Sequence, residues 1–213
     1  MIKDYDRRFW FGASEGNYIF GQKSGAAYRD WWRVKCGVEE PKFHGNIYTR
    51  AGNTFEHSIL RTWEPGVRFD RQILIPSLRF RANLDGNTED EILEVKTYQI
   101  DKGFKVTEGY YYQAQLQILA WNMEEILPFS DCKGKPVLKK KNPPLKRHII
   151  LAYGLYADEY YHEYTQEQIE EGSIEIDPKR ILVFETKPSR GTQRAAKKNL
   201  RKMAKQLRKE EVR

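Results

Sequence analysis

The sequence predicts an α/β (α+β) protein in which α-helices flank a mixed central β-sheet. Three observations support this fold class. Helical patterns fill much of the first third of the chain, and short alternating segments of strand type follow them. Between two groups of such segments lies "YYYQAQLQILAW", which is apolar or aromatic on nearly every side of a helix. Such a helix must be buried against a sheet.

Caps, turns and periodicity define the elements in chain order. Helices are predicted at 12–20, 26–35, 50–63, 110–126 and 165–172. Ser14 and Ser24 are available as caps for the first two, and "EPG" ends the third. Strands are predicted at 71–75, 78–84, 92–98, 148–156, 159–164 and 180–185, and "DGNTED" forms the turn between the second and third. Since the sequence contains no repeat, we expect one continuous fold.

The length and charge of the chain predict one domain with a basic extension. With 213 residues, of which 39% are hydrophobic and 31% charged, the chain can bury one core. The formal net charge is +7, and the segment 187–213 alone carries 11 lysines and arginines against two acids. We therefore predict a single domain over 1–186 and a basic tail over 187–213, with a polyanion as the expected partner.

The composition argues against several classes of protein. Cys36 and Cys132 have neither the CxxC spacing nor the neighbouring ligands that zinc or iron–sulfur sites need, and the four histidines are scattered. The longest apolar runs are far shorter than a membrane span, and the N-terminus lacks the apolar core of a secretion signal. We therefore expect a cytoplasmic protein with no membrane partner and no zinc site.

Two neighbouring strands bring charged residues together. Asp85 ends the polar face of an alternating strand, and "EVK" places Glu94 and Lys96 on one face of the next strand. Leu93 and Val95 are expected on the apolar face that they share with the first strand. Two carboxylates that meet across a hairpin favour a hard divalent cation between them. The alternative is a solvated strand face with weak surface pairs.

A third carboxylate, Glu56, lies on an otherwise apolar helix face. At helical spacing it shares that face with Ile59, Leu60 and Trp63, which should pack inward. A buried carboxylate needs a partner. The partner is either a metal site shared with the strand carboxylates or an arginine in a core salt bridge.

Three glutamines, at 113, 115 and 117, interrupt the apolar helix at 110–126. Buried amides must form hydrogen bonds. They either satisfy the edge of the sheet, or one of them orients an attacking water or a phosphate oxygen.

At these residues the sequence resembles the PD-(D/E)XK nucleases, and within them the phage lambda exonuclease or YqaJ-type viral recombinase family. The superfamily pattern is an acidic helix residue, then Asp, then (D/E)xK, then a helix with YxxQxQ. The matching positions are Glu56, Asp85, Glu94 to Lys96, Tyr112, Gln115 and Gln117. A second register with Tyr110, Gln113 and Gln115 also fits, and Leu84 stands where the superfamily has Pro. The segment "RRFWFGASEG" is similar to the opening of the family.

The resemblance implies a PD-(D/E)XK nuclease core with a Mg²⁺ site, at which Mn²⁺ can substitute. The implied ligands are Asp85, Glu94, the Val95 carbonyl and Glu56. Lys96 would orient or deprotonate the attacking water, and Gln115 would orient water or substrate from the helix.

The resemblance also implies which residues bind the substrate. Arg7 and Ser14 would bind the 5′ phosphate of a DNA end, and Tyr112 and Gln117 would contact the substrate from the helix. Two alternatives stay open, because Arg8 could replace Arg7 and Ser14 could simply cap a helix.

The activity implied by the resemblance is 5′-to-3′ exonuclease action on double-stranded DNA ends, releasing 5′-mononucleotides in phage-type recombination. It further implies a homo-oligomer, a ring-shaped trimer, and a single-strand annealing protein as partner. An endonuclease on the same scaffold and a non-catalytic DNA-end-binding module are the alternatives. A binding module, however, has no need of a lysine beside three acids.

The basic tail has the pattern of an amphipathic helix. Ala196, Leu200, Met203 and Leu207 form one apolar stripe among lysines and arginines. We expect the stripe to dock on the body or on a neighbouring subunit, while the basic face adds salt-sensitive DNA affinity. A disordered terminus is the alternative. The lysine-rich loop at 133–147 could contact phosphates as well.

Overall fold

The fold is built around a six-stranded mixed β-sheet. The structure is a computed structural model and describes residues 8–21, 23–40, 45–124, 129–130, 136–137 and 142–211. The strands are β1 (Phe11–Gly12), β2 (Arg68–Ile75), β3 (Phe80–Asn87), β4 (Glu91–Gln99), β5 (Phe129–Ser130), β6 (Pro136–Val137), β7 (Arg147–Leu155) and β8 (Ile181–Thr186). The helices are α1 (Gly16–Phe20), α2 (Ala26–Lys35), α3 (Ile47–Trp63), α4 (Glu108–Met123), α5 (Gln166–Glu171) and α6 (Arg190–Glu211). β5 and β6 form a separate pair.

Strand β3 is fully paired along one edge and interrupted along the other. β2 pairs antiparallel with β3 along nearly the whole of both strands. On the opposite edge, β1 pairs parallel with Phe80 and Arg81, and β4 pairs antiparallel with Gly86 and Asn87. Within the described chain, residues 82–85 therefore have no strand beside them on that edge. This leaves an opening between β3 and β4.

The rest of the sheet continues from β4 through β7 to β8. β7 runs parallel to β4, and β8 runs antiparallel to β7. The predicted fold class, a mixed sheet flanked by helices, is thereby confirmed.

Two apolar clusters lie on the two faces of this sheet. Phe80, Ala82 and Leu84 of β3 pack in a cluster with α4 and α6, whereas Leu93 and Val95 of β4 pack in a cluster with α3. The prediction that the two strands share one apolar face is therefore wrong. Because helices cover both faces, both faces carry apolar residues, and alternation alone does not identify the inner face.

The helices differ from the predictions mainly at their ends, and α4, predicted at 110–126, ends at Met123. α3 begins earlier than predicted because Asn46 caps it by accepting a hydrogen bond from the Thr49 backbone N–H (2.9 Å). Thr107 caps α4 in the same way, through the Tyr110 N–H (3.3 Å). The segment 12–20 is not one helix, because its first residues join β1 and a 3₁₀ turn (Ala13–Glu15) before α1 begins.

The segment 159–164, predicted as a strand, forms a turn through residue 161 and irregular structure after it. Glu159 accepts a hydrogen bond from the Tyr156 backbone N–H (2.7 Å) and pairs with Arg180 (2.6 Å). Such local side-chain bonds to the backbone compete with strand pairing.

Helix α6 docks on the body through its apolar stripe. Ala196, Leu200, Met203 and Leu207 are buried in the cluster that also contains α4. The Asn199 side-chain amide donates a hydrogen bond to the Ile19 carbonyl (3.0 Å), which ties α6 to α1. Among the described residues, no helix has the length and apolarity needed to span a membrane.

Candidate active site

The opening between β3 and β4 forms part of a pocket of about 730 Å³. Residues from the 3₁₀ turn, α3, β3, β4 and α4 line it. The predicted site residues among them are Ser14, Glu56, Asp85, Glu94, Val95 and Lys96. The three carboxylates and the lysine that were predicted from separate segments therefore meet at one pocket.

Side chains, rather than backbone groups, bridge the strands at this opening. The Val95 backbone N–H donates to the Asp85 carboxylate (2.8 Å), and the Gln117 side-chain amide donates to the Asn83 carbonyl (3.0 Å). The N–H and C=O of one strand residue point toward the same neighbouring strand. The Val95 carbonyl therefore faces the opening that Asp85 occupies.

Glu94 is the most buried carboxylate of the pocket, with 2% of its surface exposed. Its Oε1 atom accepts hydrogen bonds from Lys96 Nζ and Gln113 Nε2 (2.5 Å), and Oε2 accepts one from Gln117 Nε2 (2.5 Å). Three donors thus compensate this charge and fix the orientation of the carboxylate.

Lys96 is a cation in this arrangement. Burial by itself lowers the pKa of Lys96, but the negative charges of Glu94 and Asp85 outweigh burial and raise that pKa above its ordinary value. The ammonium also lies 5.3 Å from the centre of the Tyr110 ring, a distance at which a cation is attracted to the ring face.

Glu56 and Asp85 are compensated less completely than Glu94. Burial, followed by the charge of Glu94, raises the pKa of Glu56 to about 7. Burial and the charges of Glu56 and Glu94 raise the pKa of Asp85 well above its ordinary value. Carboxylates that disfavour their own ionisation need additional positive charge.

The donor set fits a divalent cation. Asp85, Glu94 and Glu56 offer carboxylate oxygens, and Val95 offers a carbonyl oxygen toward the same opening. Oxygen ligands of this kind are those that Mg²⁺ and Mn²⁺ prefer.

A second group of metal-binding side chains lies beside Glu56. Ligand atoms of Glu56, His57 and Asp70 lie within 4.8 Å of one another. His57 Nε2 is 3.3 Å from the Asp70 carboxylate, and Nδ1 is 3.1 Å from the Glu170 carbonyl. Because both ring nitrogens are engaged, we assign the cation site to the carboxylates that face the opening of the sheet.

The glutamines of α4 lie on two different faces of the helix. Gln113 and Gln117 are one turn apart and face Glu94. Gln115 points away from the pocket, where its Nε2 donates to the Lys187 carbonyl (2.8 Å) and its Oε1 accepts from the Ser189 N–H (2.8 Å). The structure therefore does not place Gln115 where it could orient an attacking water.

The tyrosines of α4 show the same division. Tyr110 lines the pocket. Tyr112 instead stacks on Phe20 with 4.3 Å between ring centres, and its hydroxyl donates to Glu108 (2.7 Å). The structure therefore matches neither register in full. Tyr110 and Gln113 of the second register line the pocket, and Gln117 of the first register contacts Glu94 without lining the pocket. Tyr112 does not face the pocket, where it was predicted to contact substrate.

The candidate phosphate-binding residues lie in the first segment of the chain. Ser14 lines the pocket as an exposed residue within the 3₁₀ turn, and it is not the N-cap of a helix. Arg7 lies outside the described residues. The alternative residue Arg8 is described, is exposed, and lies 3.9 Å from Glu40.

Sequence reasoning gave no role to Arg81 and Asn53, which also line the pocket, or to His148, which contacts Gln117. Arg81 shares the alternating polar face that identified Asp85, so its position could have been found from the sequence. The burial of His148 and its contact with Gln117 depend on β4 and α4, which are distant in sequence, so no pattern around residue 148 predicts them.

Comparison with known proteins places this fold among nuclease structures. No family model and no curated protein sequence matches the chain. An alkaline exonuclease (LHK-Exo) from Laribacter hongkongensis is similar in structure over 97% of this chain and 91% of its own, with a TM-score of 0.60 and 13% identity. LHK-Exo in complex with dAMP matches over 98% and 93%, with a TM-score of 0.59 and 14% identity.

A phage related exonuclease from Haemophilus somnus 129PT is also similar, over 94% of this chain and 96% of its own, with a TM-score of 0.53 and 12% identity. At these identities the likeness shows a shared fold. The chain therefore has the mixed α/β fold of these exonuclease structures along almost its whole length.

Proposed function

We propose that this protein is a metal-dependent DNA exonuclease of the PD-(D/E)XK superfamily, similar to the lambda exonuclease and YqaJ-type recombinases. The observation that carries the proposal is the meeting of Glu56, Asp85, Glu94 and Lys96 at one pocket between two splayed strands. The shared fold with exonuclease structures, one of them a complex with dAMP, supports the same activity.

Hydrolysis of a phosphodiester requires positive charge near the phosphate and a water held in line for attack. A divalent cation, Mg²⁺ or Mn²⁺, held by Asp85, Glu94, Glu56 and the Val95 carbonyl would supply that charge and acidify water. Gln113 and Gln117 hold the Glu94 carboxylate in place for this role.

Lys96 has two tasks in the proposed reaction. Its ammonium stabilises charge on the phosphate oxygens while it is protonated. Once the charges of Glu94 and Asp85 are neutralised, the main cause of its raised pKa is removed, and its pKa falls. A lower pKa favours orientation and deprotonation of the attacking water.

The direction of digestion is proposed to be 5′ to 3′ on double-stranded ends, with release of 5′-mononucleotides for phage-type recombination. Ser14 offers a hydroxyl at the mouth of the pocket that can bind a terminal phosphate, and Arg7 is the proposed second contact. A ring-shaped homo-oligomer, such as a trimer, and a single-strand annealing partner complete the proposal on the basis of resemblance.

Helix α6 offers a sequence-independent contact for DNA. Its exposed face carries basic residues at 194, 198, 201, 205 and 208, and the next acidic residue is Glu210. We propose that this face binds phosphates, which makes DNA affinity decrease steeply with salt. Neutralising these residues should reduce the salt dependence of DNA binding.

The activity is tested with linear duplex DNA that carries a labelled 5′ phosphate. We expect mononucleotide release in Mg²⁺, no release in EDTA, and loss of release with retained end binding in Lys96→Ala. The matched control is Lys102→Ala, an exposed lysine in the turn after β4, which should digest DNA normally. Unchanged digestion by Lys96→Ala would remove Lys96 from the mechanism.

The alternatives give different products. Cleavage of closed circular duplex would identify an endonuclease on this scaffold. End binding without hydrolysis in Mg²⁺ or Mn²⁺ would identify a DNA-end-binding module.

A further inference from the structure

A buried histidine lies behind Glu94, whose carboxylate accepts three side-chain hydrogen bonds. His148 is on β7, in register with Ile92 of the neighbouring strand β4, and none of its surface is exposed. Its Nε2 atom lies 2.7 Å from Gln117 Oε1. His148 does not line the pocket, and its hydrogen bond toward the site is the one to Gln117.

The surroundings of Gln117 determine how its amide is oriented. Two acceptors face one end of this amide, namely Glu94 Oε2 at 2.5 Å and the Asn83 carbonyl at 3.0 Å. Only the amide nitrogen can donate to both. The amide oxygen must therefore face His148, and His148 must donate through Nε2–H.

The protonation of His148 suits this task. Burial lowers the pKa of His148 to about 4, so the ring is neutral near pH 7. A neutral ring carries one proton, which the contact with Gln117 Oε1 places on Nε2. Among the described residues, Nδ1 has no other residue within hydrogen-bond distance, so Nε2 is the ring nitrogen that connects His148 to the site.

In the wild type, a rotated Gln117 amide would place its NH₂ group against the Nε2–H of His148, and two donors repel each other. Replacing His148 removes this repulsion. A rotated amide would place its oxygen against Glu94 and the Asn83 carbonyl, which repels both acceptors. The donor at His148 therefore favours one of the two amide orientations, and that orientation holds Oε2 of Glu94.

We propose that His148 is a positioning residue that orients the Gln117 amide and, through it, the Glu94 carboxylate for binding a divalent cation. This inference rests on the proposed function, because it assumes that Glu94 is a metal ligand. Groups that hydrogen-bond directly to a ligand, as Gln117 does to Glu94, commonly change metal affinity about 10- to 100-fold when they are removed. His148 acts one contact further away, so we expect an effect at the lower end of this range.

The test is metal affinity of the DNA-free protein, measured by titration calorimetry with Mg²⁺ and with Mn²⁺. We expect His148→Leu to raise the dissociation constant about 10-fold. His148→Gln, which keeps an amide N–H at similar reach, should recover most of the affinity. His148→Asn is too short to reach Gln117 and should behave like His148→Leu, so it serves if the leucine variant does not fold.

A second readout separates positioning from general stability. In DNA digestion, His148→Leu should raise the Mg²⁺ concentration required for half-maximal rate more than it lowers the rate at saturating Mg²⁺. The matched control is Ser58→Ala. Ser58 is also buried, and its hydroxyl accepts a hydrogen bond from the Ile174 N–H (3.1 Å) beside the apolar cluster of α3. Ser58→Ala should lower the thermal denaturation temperature and leave the metal dissociation constant unchanged.

The proposal is overturned if His148→Leu and His148→Asn keep the wild-type metal affinity within about twofold. It is also overturned if the wild-type chain binds neither ion. Metal binding without DNA hydrolysis would contradict the proposed function alone, because the effect of His148 on affinity could still be measured.

Discussion

Glu94, which faces α4, and Glu56, on α3, face the same pocket and differ in how their charge is compensated. Glu94 accepts hydrogen bonds from Lys96, Gln113 and Gln117. Glu56 instead adds its charge to that of its neighbours, and its pKa is raised to about 7. Asp85, with one backbone donor and a raised pKa, belongs with Glu56.

This difference indicates that the protein compensates the negative charge on one side of the candidate site and leaves much of it uncompensated on the other. The Glu94 side is organised before any ion binds, because the protein supplies the donors itself. The Glu56 and Asp85 side holds negative charge that the surrounding donors compensate less, as the raised pKa values show, and that a divalent cation would relieve. Replacing Glu94 by Gln and replacing Glu56 by Gln should therefore have opposite effects on the stability of the metal-free protein.

The largest effect is expected for Glu94→Gln. Lys96 would keep its charge and lose its ion-pair partner, and breaking a largely buried pair in this way costs about 3 kcal/mol. We expect that loss in the free energy of unfolding of the metal-free protein, measured by urea denaturation at pH 8. Stability equal to the wild type would show that the donors around Glu94 do not compensate its charge.

The next effect is stabilisation by the ion. Binding at 100 times the dissociation constant adds about 2.7 kcal/mol to the free energy of unfolding. We expect Mg²⁺ to raise the denaturation temperature of the wild type and EDTA to reverse the rise. Asp85→Asn should show little response to Mg²⁺, and a full response would place the ion elsewhere.

Glu56→Gln is expected to stabilise the metal-free protein, whereas Glu94→Gln destabilises it, and the effect is smaller. The folded pKa of about 7 lies above the ordinary value of 4.5, so the folded state binds more protons between these values. Stability of the wild type therefore falls as pH rises from about 4.5 to 7. Allowing for partial solvent access, Glu56→Gln should stabilise the metal-free protein by about 2 kcal/mol at pH 8.

The pH dependence provides the control for this prediction. At pH 4, where Glu56 is protonated in the folded protein, the variant and the wild type should have nearly the same free energy of unfolding. A variant that is less stable than the wild type at pH 8 would mean that Glu56 has a cationic partner in the folded protein.

The sequence predicted which residues meet at the pocket better than it predicted the geometry that joins them. Residue types and spacing indicated Glu56, Asp85 and Glu94, because carboxylates that are buried or close together need a cation or hydrogen-bond donors as partners. The opening between β3 and β4 was not predictable in this way. It depends on β1, a strand of two residues that takes one end of the β3 edge, and no local pattern reveals such pairing.

The glutamines show a second limit of the sequence. Gln113, Gln115 and Gln117 are alternate residues in one helix, and a motif match alone leaves their register open. The rotation of α4 decides it, and that rotation is set by packing against the sheet and α6. His148 was missed because its role depends on a neighbour from another element.

The smallest predicted effect compares the two faces of α4. Gln115→Leu removes the partners of the Lys187 carbonyl and the Ser189 N–H at the start of α6. The unpaired backbone groups should lower the free energy of unfolding by about 1 kcal/mol, part of the cost being offset by the buried leucine. Gln113→Leu removes a donor to Glu94 and should instead raise the Mg²⁺ concentration needed for digestion.

Urea denaturation and Mg²⁺-dependent digestion of linear duplex, both measured for Gln113→Leu and Gln115→Leu, check this difference between the two faces of α4. A large loss of digestion rate in Gln115→Leu at unchanged stability would return that glutamine to the site.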